Sequence, residues 1–332
     1  MTARAPRAVD VTALVSAARE GSPRAVARLI SLVEDDHPVL REVMAALAPH
    51  TGRARVVGLT GAPGVGKSTT TNALVRALRA RGQTVGVLAV DPSSPFSGGA
   101  LLGDRIRMEE HATDRGVYLR SMASRGHLGG LSRSTPQALR VLDVAGCDVV
   151  LVETVGVGQS EVQVAALADT TVVLLAPGMG DGIQAAKAGI LEIGDVFVVN
   201  KADREGASAA VRDLRHMVAL SDDREPSEPG QPGRWRPPVV RCVASRAEGV
   251  DDLLGALDTH HSWLVEGGEL RRRRVLRAAD EVEALALGAL RARIGDLRSG
   301  SGLVTLAERL VDGTTDPYAA ADTLLAALAA RG

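Results

Sequence analysis

The chain has 332 residues, 45% hydrophobic and 24% charged, a balance that excludes a mainly disordered protein and predicts one large domain with appendages or two domains. With 39 basic against 40 acidic side chains the net charge is -1, so there is no general electrostatic draw toward nucleic acid or anionic lipid. Aromatic residues make up only 2%, which leaves the core to Val, Leu, Ile and Ala and argues against a base-stacking surface.

Residues 1–50 read as a helical amino-terminal extension. Ser22 followed by Pro23 is a helix start, and Val26, Leu29, Ile30 and Val33 then recur at helical spacing. Over residues 51–260 short β-branched runs alternate with helical ones: RVVGLT, TVGVLAV, DVVLVET, TVVLLA, VFVVN and VVRCVA. Runs apolar on both faces with helical connections predict an α/β fold with a mostly parallel sheet covered on both sides. The stretch Ser221 to Pro238 is rich in Pro, Gly and charge and reads as a mobile surface loop that buries no apolar surface. Residues 261–332 return to helix, with Leu287, Leu290, Ile294 and Leu297 in one stripe and Asp316-Pro317 opening a last helix that carries Leu324, Leu325 and Leu328. Arg271 to Arg274 fit a solvated helix face or an interface rim better than a nucleic-acid patch.

Cys147 and Cys242 lie too far apart in sequence for a CxxC pair or a metal cluster. No apolar stretch approaches the roughly 18 residues of a membrane helix, and MTARAPRAVD holds no signal core. A soluble, cytoplasmic protein is expected. Only three of the 39 basic residues are lysine, namely Lys67, Lys187 and Lys201. A compact ammonium differs from a planar guanidinium in shape and hydration, so these three mark candidate sites.

Gly61-Ala62-Pro63-Gly64-Val65-Gly66-Lys67-Ser68 matches GxxxxGK[ST], directly after the strand RVVGLT and at the start of a helix that continues with Thr69. Glycines let the backbone wrap phosphates while amides and the positive helix end point at the anion. Lys67 is placed to bridge the β and γ phosphates and Ser68 to bind Mg²⁺. Ala62 stands where deviant P-loop ATPases carry an extra lysine. Downstream, the strand DVVLVET ends in Glu153, with Gly156 three residues on, the arrangement of a Walker B carboxylate and a γ-phosphate amide. Val157 follows instead of a water-orienting Gln, so slow intrinsic hydrolysis, completed by a partner or loop closure, is expected. Asp91 opens the loop PSSPFSGGALLGD leading to Asp104; both are candidate Mg²⁺ ligands in a segment able to reorder with nucleotide state, with helix capping as the alternative.

Asn200-Lys201-Ala202-Asp203 fits NKxD after a strand. The carboxylate accepts the N1 and N2 hydrogens of guanine, the Lys stem packs over the ring and Asn ties the loop to the P-loop. Adenine presents an acceptor at N1, and a buried mismatch of this kind rejects a ligand by about 10⁴. The Ser-Ala pair that commonly contacts the guanine oxygen appears as Val243-Ala244, whose Ala amide is the candidate donor.

Together VGLTGAPGVGKST, AVDPSSPFSGGALLGDRIRM, VLVETVGVGQSE and APGMGDGIQAAKAGILEIGDVFVVNKAD resemble the G-protein chaperones of adenosylcobalamin-dependent acyl-CoA mutases, the methylmalonyl-CoA mutase-associated GTPases often labelled arginine/ornithine transport ATPases. The resemblance implies a SIMIBI-class P-loop G domain with amino-terminal helices and a carboxy-terminal helical dimerisation arm. It implies a homodimer that converts GTP to GDP and phosphate, docks on a mutase, gates delivery of adenosylcobalamin by an adenosyltransferase and helps eject inactivated cofactor. By the same resemblance Lys67 and Ser68 serve phosphate and Mg²⁺, Asp91, Asp104 and Glu153 serve metal and switch loops, and Asn200, Lys201 and Asp203 serve guanine. Asp181 and Lys187, in a third switch, look like the pair coupling mutase binding to hydrolysis.

The rival readings fit less well. A nickel-delivery GTPase wants His-rich or paired Cys ligands, and the seven His are scattered apart from His260-His261. A targeting GTPase wants a Met-rich domain, against six Met here. An accessory ATPase of an amino-acid transporter is the alternative function, and the guanine reader argues against it.

Overall fold

The computed structural model describes residues 9–91, 110–111, 113–123, 134–154, 160–178, 190–222, 233–299 and 302–329. The chain divides into two compact units, residues 1–270 and 271–332.

In the first unit three helices precede the sheet: α1 (Val11–Arg19), α2 (Pro23–Glu34) and α3 (Leu40–Leu47). Asp10 caps α1 by accepting from Ala13 N at 2.9 Å, and Ser22 caps α2 by accepting from Ala25 N at 3.4 Å. The strands are β1 (Arg55–Thr60), β2 (Val85–Asp91), β3 (Val117–Ala123), β4 (Val149–Thr154), β5 (Thr170–Leu175), β6 (Val196–Val199) and β7 (Val239–Arg241). Between and after them run α4 (Lys67–Ala80), α5 (Ser134–Val144), α6 (Ser160–Leu167), α7 (Ile190–Ile193), α8 (Ala207–Asp222) and α9 (Val250–Glu266).

The seven strands form one sheet in the order β3-β2-β4-β1-β5-β6-β7, and every neighbouring pair is parallel. Parallel strands need crossover helices, which cover both faces. Strand alternation sends Leu151 to the face shared with Leu59, Leu74, Leu78 and Leu253, beneath α4 and α9. Its neighbour Val150 faces the opposite way, into a cluster with Leu88, Met122, Leu142 and the buried stripe Val26, Leu29, Ile30 and Val33 of α2. Burying each such Leu contributes about 1.5–3 kcal/mol, so α1 to α3 are part of this core.

Strand β3 is absent from the sequence-predicted runs. It is an edge strand whose apolar pattern is broken by Arg120 and Ser121, and Leu119 on its outer face is 36% exposed. Its other face meets the amino-terminal helices: Tyr118 Oη donates to Gly21 O at 3.2 Å, and Arg120 pairs with Glu34.

The proline-rich stretch also departs from expectation at its described end. Its residues 223–232 lie outside the described residues, but Trp235 packs against the buried His260, with ring centroids 4.6 Å apart, and against Trp263 at 5.7 Å. Its indole N–H donates to Asp195 O at 2.7 Å. A large apolar ring with one polar handle finds both kinds of partner here.

The second unit holds most of α10 (Glu269–Ser299), with α11 (Gly302–Val311) and α12 (Pro317–Ala329). Asp316 caps α12, accepting from Tyr318 N at 2.8 Å and Ala319 N at 3.0 Å. Val275, Val282, Leu287 and Leu290 of α10 are exposed. Among the described residues, no helix is long and apolar enough to cross a membrane.

Candidate nucleotide site

The site lies at the carboxyl edge of the sheet, where β1 sits between β4 and β5. Strand order departs in both directions from β1 there, the position at which open α/β sheets leave a crevice. The loop from Gly61 to Gly66 leaves β1 and enters α4 at Lys67, as the motif spacing predicts. Two glycines are required by the surroundings. Gly61 has φ 141°, and a Cβ there would meet Leu174 O at 2.3 Å; Gly66 has φ 97°, and a Cβ would meet Asn200 Nδ2 at 2.3 Å. Pro63, Gly64 and Thr69 are exposed, and Val65 is buried.

Lys67 is 8% exposed and curls back on its own loop, donating to Gly61 O at 2.6 Å and Ala62 O at 3.3 Å. Thr70 Oγ1 donates to Gly66 O at 2.9 Å and braces the same turn. The Ser68 hydroxyl donates to Glu153 Oε1. Register explains the meeting: Leu59 pairs with Glu153, so the acid next to the end of β4 stands beside the end of β1 and under the first turn of α4. Glu153 is 1% exposed. A hydroxyl and a carboxylate side by side are the hard oxygen donors that Mg²⁺ takes, so this pair fits the ion.

The base-side loop is joined to the P-loop by one buried amide. Asn200, 3% exposed, donates from Nδ2 to Val65 O at 2.8 Å and accepts at Oδ1 from Ala244 N at 3.1 Å. The Ala244 amide is thereby engaged with Asn200, and contact with a guanine oxygen would require that bond to be exchanged; Val243 offers no side-chain donor. Lys201, at φ 54°, donates from Nζ to Gly64 O at 2.6 Å. Asp203 is exposed and faces Arg246, a contact that motif reading missed because Arg246 belongs to no motif. Thr70 was missed for the same reason.

Asp91 ends β2, where Val90 pairs with Thr154, so its backbone reaches the same edge; nothing is described of its side chain. Asp104, Gly156, Asp181 and Lys187 lie outside the described residues. Cys242 lies behind the base loop, its thiol donating to Gly249 O at 3.2 Å, and burial pushes its pKa up to about 12. Burial does the same to Cys147, also to about 12. Among the described residues no three His, Cys, Asp or Glu side chains group as a metal cluster.

An all-parallel sheet carrying a P-loop, a strand-terminal acid on the P-loop serine and an NKxD loop tied to the P-loop defines a P-loop nucleotide hydrolase of the GTPase type. The family model described as "Methylmalonyl Co-A mutase-associated GTPase MeaB" matches residues 26–297. The chain belongs to this family and is a GTPase. It is 45% identical over 312 residues to a protein of Pyrococcus abyssi named as a GTPase, covering 94% of this chain and 95% of that one. It is 37% identical over 273 residues to the mouse "Methylmalonic aciduria type A homolog, mitochondrial", covering 77% of this chain and 64% of that one. Among solved structures, one described as an LAO/AO transport system kinase aligns with TM-score 0.70 and 26% identity, covering 95% of this chain and 96% of that one.

Proposed function

We propose that the chain binds GTP with Mg²⁺ at the carboxyl edge of the sheet and uses its hydrolysis to gate adenosylcobalamin loading onto an acyl-CoA mutase. The observation that carries the reading is the pair of hydrogen bonds made by Asn200, one to the phosphate-binding loop at Val65 O and one to the base-side loop at Ala244 N, which brings these loops into one surface. The name of the mouse relative and the matching family model support the mutase as partner.

In this reading Gly61 to Thr69 wrap the phosphates, and Lys67 leaves the Gly61 and Ala62 carbonyls to meet the β and γ oxygens. Ser68 and Glu153, with Asp91 and Asp104, hold Mg²⁺, which when bound neutralises charge across the β and γ phosphates. The Gly156 amide senses the γ phosphate. Asn200, Lys201 and Asp203 read guanine, with the loop at Val243 and Ala244 closing the base side. Asp181 and Lys187 couple hydrolysis to the mutase, and an adenosyltransferase supplies the cofactor. Residues 261–332 form a dimerisation region, a reading supported by the exposed apolar side chains of α10.

The test is steady-state GTP turnover by the full chain with and without a purified adenosylcobalamin-dependent acyl-CoA mutase. A slow basal rate that rises at least about tenfold with mutase is expected, given that partner-supplied groups raise GTPase rates by 10³–10⁵. Turnover indifferent to every such mutase would remove the partner assignment.

A further inference from the structure

The Asp203 carboxylate is 42% exposed, and among the described residues the one charged group it meets is the Arg246 guanidinium, with Nη2 3.5 Å from Oδ2. Arg246 is itself held. Its backbone N–H donates to Val243 O at 2.9 Å, and its Nε lies 2.9 Å from Glu248 Oε1. Glu248 closes the turn by accepting from Val243 N at 2.9 Å, and Ala247 between the two adopts φ 58°. The turn thus sets the side chains of Arg246 and Glu248 together beside Asp203.

Reading guanine requires both carboxylate oxygens in the plane of the base, but an aspartate χ2 is broad, and an exposed carboxylate turns freely unless something holds it. The neighbouring loop offers few ways to hold it. Position 243 is valine, which has no side-chain donor, and the Ala244 amide is engaged with Asn200. A carboxylate has about four acceptor positions, and guanine takes two, so a guanidinium on one oxygen does not compete for all of them.

We propose that Glu248 and Arg246 form a relay that orients the Asp203 carboxylate for guanine, making Arg246 a positioning residue for base specificity. The inference rests on Asp203 being the guanine reader. Because the pair is exposed but Arg246 is held by Glu248, its effect lies at the upper end of what a surface ion pair gives, about three- to fivefold in affinity.

The experiment is fluorescence titration of the full chain with mant-labelled GDP, IDP and ADP. Inosine lacks the exocyclic N2 amine, so it forms one bond to the carboxylate where guanine forms two. In R246Q the Kd for GDP rises about three- to fivefold while that for IDP rises less than about twofold, so the GDP/IDP preference falls. R246K restores part of it and E248Q reproduces part of the loss. In the D203A background R246Q has no further effect. A purely structural role would weaken both nucleotides equally, and that result overturns the relay, as does R246Q binding GDP like the parent chain. If the parent chain does not prefer GDP to ADP, or D203A binds GDP unchanged, the base reading itself falls and the relay with it; loss of GDP binding in D203A with an unaffected R246Q removes the relay alone.

Discussion

Replacing Asn200 by alanine removes its buried bond to the P-loop at Val65 O and its bond to Ala244 N on the neighbouring base-side loop, leaving the exposed Lys201 Nζ bond to Gly64 O. Val65 O and Ala244 N are left in buried surroundings without the partners they have at 2.8 and 3.1 Å. An orphaned buried donor or acceptor costs about 1–3 kcal/mol, so the two together predict a loss of about 2–6 kcal/mol, toward the lower end where water enters the space of the missing amide. Asn200→Asp keeps an acceptor for Ala244 but sets a carboxylate oxygen against Val65 O, so it does not rescue. The assay is urea unfolding of the nucleotide-free chain, read as a shift in midpoint at unchanged slope. GDP affinity is measured on the same variants and falls with stability, because the two loops no longer hold one geometry. A loss under about 1 kcal/mol, or full GDP affinity in the alanine variant, would refute the reasoning that this amide unites the site.

Lys67→Ala lowers single-turnover GTP hydrolysis by at least about a hundredfold, the scale of losing one group that stabilises developing charge; unchanged turnover would defeat the P-loop assignment. Asp203→Asn moves preference from guanine toward xanthine nucleotides, whose 2-position carries an acceptor, and a competition titration that leaves the preference unaltered would count against base reading at that position. Cys147 and Cys242, both buried with thiols pushed up to about 12, resist iodoacetamide at pH 8 in the folded chain and react after unfolding, as mass spectrometry would show. The Arg79 guanidinium, with the Gly116 backbone N–H, holds the Asp114 carboxyl below its usual value. A depressed carboxylate adds stability above its unfolded pKa and loses it as pH falls through the lowered value. The stability gap between parent and Arg79→Ala therefore narrows in urea melts as pH drops below about 4; a gap independent of pH would contradict the pairing.

Much of the fold was legible because the motif residues are bounded by strong patterns. RVVGLT coincides with β1, and α4 begins at Lys67 because a P-loop must pass from strand to helix there. Strand β3 was not, since an edge strand with one face against polar and apolar helix residues alternates VYLRSMA without a continuous apolar run. Trp235 was hidden by the proline-rich composition around it, and its partners His260 and Trp263 lie on a distant helix that no local pattern links to it. At the site, spacing placed Lys67, Ser68, Glu153 and Asn200, whose contacts follow from strand register. The Ala244 amide was expected to face a ligand, yet it donates to Asn200, and Arg246 reaches Asp203 only through a turn that the one-dimensional motif does not encode.

Calorimetric titration of the purified chain with GTP and with ATP, each in excess Mg²⁺, tests most directly the claim that a guanine nucleotide is read at the carboxyl edge of this sheet. One GTP binds per chain, and ATP binds at least about a thousandfold more weakly. Equal affinity for the two, or no heat with GTP, would contradict it.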